Sequence, residues 1–470
     1  MIKLALQDLI KLDNAELVQG NSEIEIQDIS IDTRTIKPGE VFFAIEKGND
    51  YLEMAIQNGA IACVVEKELD PVFLEMYPDI TFVKTQNSVT ALQKLAKYKR
   101  EQYNIPVIAI TGSVGKTSSK DVISNVVKQK YNVLKTEGNL NNHIGLPLTI
   151  LKLKNHEALV VEMGMNHLGE IETLSSIAKP TIAVITNVGT SHIGILGSRE
   201  NILKAKLEII SGLHENGTLI INVDNDLLNK WNTKTKRKNT TTYSIEKHSN
   251  YQAFNITTTE NDSQYNIKID NNEYLVNVPV SGIHFVYNSL AAIAVGKALG
   301  IDDEKILTGI KTFELTKKRM ELQEVNGIKI INDVYNASYE SMKYALEYLN
   351  TISGNRKIAV LGDIFELGDF AEELHKKVGM EVNNNNVDIL ITVGGNAEFI
   401  ANTATKVKEK YIFKNVQQAV EPIEKLFNYI GVEIGKAQGM ACVGTFASGI
   451  ALALGVIALT EIHRLKKSKE

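Results

Sequence analysis

Ile105-Pro-Val-Ile-Ala-Ile-Thr-Gly-Ser-Val-Gly-Lys-Thr-Ser-Ser-Lys120 is the stretch that decides the fold. Residues 105–110 are a short apolar run rich in β-branched side chains, which reads as a buried strand. Gly112 and Gly115 break that pattern, and a helical pattern follows over 116–130. A strand, a glycine turn and a helix N-terminus make a phosphate cradle. The glycines let backbone N–H groups face an anion, and the helix dipole adds about half a positive charge there. Lys116 suits the terminal phosphates of a nucleotide, and the Thr117 hydroxyl suits Mg²⁺. The spacing departs from the usual GxxxxGK[ST], because Ile110 stands where the first glycine would be.

Outward from this loop, apolar runs at 105–110, 157–162, 182–186 and 218–222 alternate with helical patterns. That is the pattern of a doubly wound parallel sheet, whose ligands gather at the carboxyl ends of its strands. Glu162 closes the second run and suits Mg²⁺, directly or through water. Thr186 ends the third run, and Asn187, Ser191 and His192 follow it; His192 alone reads as an ordinary core or surface residue. The helix expected over 198–213 carries Lys204, Lys206 and Glu208, which on their own read as a solvated face. Gly138-Asn-Leu-Asn-Asn-His-Ile-Gly-Leu-Pro147 reads as a polar loop, suited either to sugar and peptide recognition or to ordinary turns. Residues 235–275 read as a polar β-excursion, and 288–300 as a helix with a glycine stop.

At 470 residues, two to four domains are expected. The polar segment 98–104 sets the first boundary. Residues 1–98 then form a small α/β domain, 99–314 the central domain, and 315–470 a Rossmann-like α/β domain with strands at 328–332, 357–361, 388–393 and 410–413. In the first domain, 29–34 reads as extended, with Asp32 and Arg34 either a solvated ion pair or a holder for an anionic or sugar ligand. A net charge of −5 argues against a general nucleic-acid binder. Cys63 and Cys442 lack metal-ligand spacing and suit reduced core thiols in a cytosolic protein. Lys3, Asp8 and Lys11 interrupt the first apolar residues, so no export signal is expected. Residues 437–460 carry no charge, and as a helix of about 36 Å would match a hydrocarbon core of about 30 Å. A packed helix is preferred there over a membrane span, because the stretch is rich in Ala and Gly.

Taken together, these blocks resemble the Mur ligases, ATP-dependent enzymes that form amide bonds in cell-wall synthesis. The resemblance rests on Thr111-Gly-Ser-Val-Gly-Lys-Thr117, Gly138-Asn-Leu-Asn-Asn142, Glu162-Met-Gly-Met-Asn-His-Leu-Gly-Glu170 and Asn187 to His192. It continues through Ala205-Lys-Leu-Glu-Ile209, Gly282-Ile-His284 with Asn288, Lys318-Arg-Met-Glu321, Asp333-Val-Tyr-Asn-Ala337 and Leu361-Gly-Asp-Ile-Phe-Glu-Leu-Gly368. The blocks run in family order over about 29–400 and look most like the branch that adds D-Ala-D-Ala to a UDP-muramoyl-tripeptide.

The resemblance implies roles. Thr111, Gly112, Ser113, Val114, Gly115, Lys116, Thr117 and Ser118 would hold the ATP phosphates. Asn288 would face the adenine, and Arg319 and Asp333 would close the nucleotide site. Thr117 and Glu162 would serve one Mg²⁺ and His192 a second, and Lys206 would be carbamylated and bridge to metal. Lys116, Glu162, His192 and Lys206 would form the catalytic set. Asn141 and Asn142 would meet the muramoyl peptide, Asp32, Thr33 and Arg34 the uridine side, and Tyr335 and Asn336 the incoming dipeptide. The implied protein is a cytoplasmic monomer that binds no nucleic acid.

Four departures stand out. Gly48-Asn-Asp-Tyr-Leu52 lacks the family's Gly-His, His143 stands at an acidic position, and Tyr339 replaces a proline. The family's last strand and its Lys-x-Ser loop are not legible in 437–460. Two other readings are therefore kept. One is a sister ligase of the Mur or folate-extending type with another amine. The other is a non-catalytic, membrane-tethered paralogue.

Overall fold

The computed structural model describes residues 3–325, 328–420, 422 and 440–445. Its architecture is mixed α/β, with helices between the strands of its sheets. Two compact units are present: Met1–Thr111, Lys130–Val184 and Leu207–Leu219 form the first, and Gly112–Gln129, Ile185–Lys206 and Ile220–Glu470 the second.

In the first unit a five-stranded sheet runs Glu16–Gln19, Thr81–Lys84, Ala62–Val65, Val41–Phe43, Ile29–Ser30. All pairs are parallel except that of the outer strand Glu16–Gln19 with Thr81–Lys84. Phe42, Cys63, Val65 and Phe82 point into a core that the helix Leu52–Gln57 covers with Leu52 and Ala55. Each such fully buried large side chain contributes about 1.5–3 kcal/mol. The same unit holds Ile182–Val184 of the strand Ile182–Ile185, then the strands Val107–Thr111, Ala158–Glu162 and Val133–Lys135, side by side in that order. Val107–Thr111 and Ala158–Glu162 are parallel and buried along their whole length, as the uninterrupted apolar runs require.

In the second unit the polar excursion is a set of neighbouring strands, Thr240–Ser244, Tyr251–Thr258, Ser263–Ile269 and Asn272–Val278. A six-stranded sheet follows in the order Glu321–Val325, Ile328–Asn332, Met440–Thr445, Lys357–Gly362, Ile389–Val393, Glu409–Phe413. Its first pair is an antiparallel hairpin and the other four pairs are parallel. Among the described residues, no helix is long and apolar enough to cross a membrane.

The structure corrects several local expectations. Met440–Thr445, read as part of an apolar helix, is an inner strand of the six-stranded sheet; Cys442 is in register with Ile330 on one side and Ile358 on the other. A short uncharged run fits a strand buried between neighbours as well as it fits a helix, so hydropathy alone misassigned it. The rest of 437–460 lies outside the described residues. The extended reading of 29–34 holds only for Ile29–Ser30. Beyond it the Asp32 carboxylate accepts from the Arg34 amide (3.0 Å), and the amides of Thr35 and Ile36 reach the Asp32 carbonyl, so local bonds replace the ladder. Gly145-Leu-Pro147 opens a helix, Gly145–Leu151, in place of ending a loop; Asn142 Oδ1 accepts from the Gly145 amide there (2.8 Å). The helix expected over 198–213 is shorter, Arg199–Leu207, and tightens into a 3₁₀ turn at Glu208–Ile210.

Candidate active site

Gly112 and Gly115 bend the chain between the strand Val107–Thr111 and the helix Lys116–Val127. A Cβ on Gly112 would overlap the Thr186 hydroxyl, so the close approach needs glycine. Gly115 sits at φ +79° and caps the helix. The loop is stitched to residues 186–191. The Ser113 amide donates to the Asn187 carbonyl (3.1 Å), and the Val114 amide to Asn187 Oδ1 (3.1 Å). Thr186 Oγ1 donates to the Val114 carbonyl (2.7 Å), and the Gly189 amide to Ser113 Oγ (2.9 Å). Lys116 folds back, its Nζ 2.8 Å from the Gly112 carbonyl. Thr117 and Ser118 are buried in the first helical turn.

His192 and Lys206 lie in the same electrostatic environment. Lys206 is 1% exposed. Burial pushes its ammonium well below the usual lysine range, Lys116 pushes the same way, and Glu340 opposes them. His192 is lowered first by burial and then by Lys116 and Lys206, while Glu366, its ion-pair partner through Nδ1, holds it up. Both His192 (φ +64°) and Glu366 (φ +61°) occupy the left-handed region, at about 1–2 kcal/mol each. The structure thus brings Lys116, His192 and Lys206 together, three residues that the sequence had left on separate segments.

Asn288 is buried in the helix Ile283–Ala298; its Oδ1 accepts from Ser119 Oγ (2.9 Å), and its Nδ2 has no hydrogen-bond partner among the described residues. Such an orphan donor suits a ligand acceptor. Arg319 lies over the Tyr335 ring, 3.9 Å from its centre, and its Nε also lacks a partner among the described residues. Burial raises the Asp333 carboxyl to about 6, while Arg319 and the Met320 amide pull it down. Asn336 Oδ1 accepts from the Ala337 amide, and Tyr335 is exposed.

The first unit holds the remaining expected residues. Thr111 Oγ1 donates to the Met163 carbonyl (2.9 Å). Glu162, 2% exposed, accepts from Asn141 Nδ2 (2.8 Å), so these two are brought together. Asn142 Oδ1 instead accepts from the amides of Ile144 (3.1 Å) and Gly145 (2.8 Å), just ahead of the helix Gly145–Leu151. Asp32 and Arg34 pair with each other through Arg34 Nη2 (2.7 Å), and this holds the Asp32 carboxyl at about 2. Thr33 Oγ1 contacts Met54 Sδ at 3.2 Å.

Two acids were missed. Glu340, in the first turn of the helix Tyr339–Thr351, accepts from the Thr190 amide (2.8 Å) and Thr190 Oγ1 (3.0 Å). Glu366 meets His192 as above. The block Leu361–Gly368 carried a signal for Glu366, whereas Glu340 reads as an ordinary acid at a helix N-terminus.

The chain was compared with known proteins. Residues 110–296 match the Mur ligase middle domain, and residues 318–428 match the Mur ligase glutamate ligase domain. A UDP-N-acetylmuramoyl-tripeptide–D-alanyl-D-alanine ligase of Bacillus subtilis is 39% identical over 424 residues, covering 87% of this chain and 89% of its own. A crystal structure of MurF from Acinetobacter baumannii superposes with a TM-score of 0.87 at 27% identity, covering 97% of this chain and 98% of its own. MurF ligase from Thermotoga maritima in complex with ADP gives a TM-score of 0.77 at 27% identity, covering 94% and 98%.

Proposed function

The chain belongs to the Mur ligase family, and we propose that it joins D-Ala-D-Ala to UDP-N-acetylmuramoyl-tripeptide at the expense of ATP, in peptidoglycan precursor synthesis. The observation that carries the chemistry is the convergence of Lys116, His192 and Lys206 beside the glycine loop. The relatives' printed names supply the substrates, and the ADP complex of the Thermotoga enzyme supports ATP. Those names point to the dipeptide-adding branch, so the sister-ligase and tethered-paralogue readings are not favoured.

A carboxylate acylates poorly, because oxide would have to leave. The tripeptide's terminal carboxylate oxygen therefore attacks the γ-phosphorus of ATP; the bond to ADP breaks and an acyl phosphate forms. The dipeptide's amine then attacks the acyl carbon, loses a proton, and expels phosphate from the tetrahedral intermediate. Lys116 and the amides of 112–117 hold the phosphates and offset charge on the transferring group. The buried, neutral-favouring seat of Lys206 suits the amine form that adds CO₂ to give a carbamate. Asn288 and Arg319 offer unpartnered donors to the nucleotide, with Asp333 beside Arg319.

Mg²⁺ fits the donor types. Thr117 and Glu162 supply hard oxygens, and this ion is usually held by one or two carboxylates together with substrate phosphates. Thr117 and Glu162 would hold one such ion and His192 a second, with the carbamate of Lys206 as a further ligand, and the ions would supply charge neutralisation on the phosphoryl oxygens. Asp32, Thr33, Arg34, Asn141 and Asn142 are assigned to the UDP-muramoyl peptide, and Tyr335 and Asn336 to the dipeptide.

Three domains are proposed at 1–98, 99–314 and 315–470. In support, among the described residues no sheet draws strands from two of these ranges. A monomer in the cytoplasm completes the reading; the free, buried thiol of Cys63 suits a reducing compartment.

The test is phosphate release from ATP with UDP-muramoyl-tripeptide and D-Ala-D-Ala, each omitted in turn. Release that needs both substrates is expected. Release with a different amine in place of the dipeptide moves the function to a sister ligase, and no release from folded, ATP-binding protein overturns the reading.

A further inference from the structure

Glu340 lies on a helix remote in sequence from the glycine loop, yet its carboxylate is seated on the residues that brace that loop. It accepts from the Thr190 amide (2.8 Å) and the Thr190 hydroxyl (3.0 Å). A Cβ on Gly189 would lie 2.5 Å from Glu340 Oε1, so the backbone there is shaped around the carboxylate. On the other side of the same turn, the Gly189 amide donates to Ser113 Oγ (2.9 Å), and Ser191 Oγ to the Ser113 carbonyl (3.3 Å). Residues 189–191 therefore sit between the phosphate loop and the start of the helix Tyr339–Thr351.

Upstream of Glu340 the chain is equally committed. Ser338 caps the helix, its Oγ accepting from the Ser341 amide (3.1 Å). Tyr335 and Asn336, the residues assigned to the incoming amine, stand five and four positions before Glu340. With so short a tether, fixing Glu340 fixes where those residues can stand.

We propose that Glu340 is a positioning residue: by gripping Thr190 it sets the amine-binding segment 335–336 in register with the phosphate loop. The proposal rests on the ligase reading for what 335–336 bind, but not for the grip itself. The carboxylate need not touch any reactant. It places the nucleophile's holder relative to the phosphorylated carboxylate, where small displacements are costly.

The test uses the full chain and two variants, Glu340→Ala and Glu340→Gln, with two readouts. In steady-state kinetics, Glu340→Ala should lower kcat/KM for D-Ala-D-Ala on the order of 10- to 100-fold, as expected for a lost charged hydrogen-bond pair. The KM for ATP should stay within about twofold. Glu340→Gln, which keeps one acceptor oxygen, should recover part of the loss. In amide hydrogen exchange, Thr190 should exchange faster in Glu340→Ala than in the parent protein. Unchanged kinetics overturn the proposal, as does an equal loss toward ATP and dipeptide, which marks mere loosening. Should the parent protein release no phosphate with the dipeptide, the ligase reading falls. The exchange of Thr190 then decides the grip alone: faster exchange upholds it and unchanged exchange overturns it.

Discussion

The glycine loop and the Asp32–Arg34 turn both carry charges, and they handle them in opposite ways. Around the loop, Lys206 is 1% exposed and its charge is opposed by burial and by Lys116. His192 is half-buried, on a left-handed backbone. None of this favours folding, since buried bases of like sign raise the free energy of the native state. At the turn, Asp32 and Arg34 satisfy each other two residues apart in the open, an arrangement that costs almost nothing and contributes little to stability. A strained, crowded cluster asks for a ligand of opposite charge to explain it. A self-paired surface turn asks for nothing, and its part in binding rests on resemblance alone.

The sharpest way to break this contrast is Lys116→Ala. Turnover should fall on the order of 10³-fold, with the melting temperature held or raised because one of the repelling bases is gone. Substantial remaining phosphate release would remove the loop's claim to chemistry. Lys206→Ala comes next, with an expected loss on the order of 10²-fold. Short carboxylic acids added to the assay should restore part of the rate by standing in for the carbamate. No rescue in a protein with an unchanged melting curve would leave the burial of Lys206 without that explanation. The smallest effect is expected at the turn: Arg34→Ala should leave the melting temperature unchanged and raise the KM for the UDP-linked substrate several-fold, as loss of one exposed contact does. An unchanged KM would strip the turn of its substrate role.

Reading the sequence worked where a single local pattern settled the matter. The runs read at 157–162, 182–186 and 218–222 became the strands Ala158–Glu162, Ile182–Ile185 and Thr218–Asn222, because each is too short and too β-branched for a helix and is bounded by breakers. The polar excursion became strands for the complementary reason, alternation along Ser263–Ile269. The reading failed at 440–445, where an uncharged run is silent about its neighbours, and at Gly145–Leu151, where Asn142 turns a loop into a helix start. At the site, Lys116 and Thr117 were legible from spacing. Lys206 looked solvated, because only the fold shows which face of Arg199–Leu207 is covered. Glu340 left no trace at all, since its meaning lies wholly in a contact 150 residues away.

The inner strand Met440–Thr445 also has a consequence in time. Its two neighbours, Ile328–Asn332 and Lys357–Gly362, leave the ribosome about eighty or more residues earlier. Until residue 445 has emerged, the middle of that sheet is a gap flanked by two unpaired strand edges, each open to association with another chain. Completion of this sheet must therefore wait until residue 445 has emerged, and in that interval the nascent chain exposes edges that chaperones can cover.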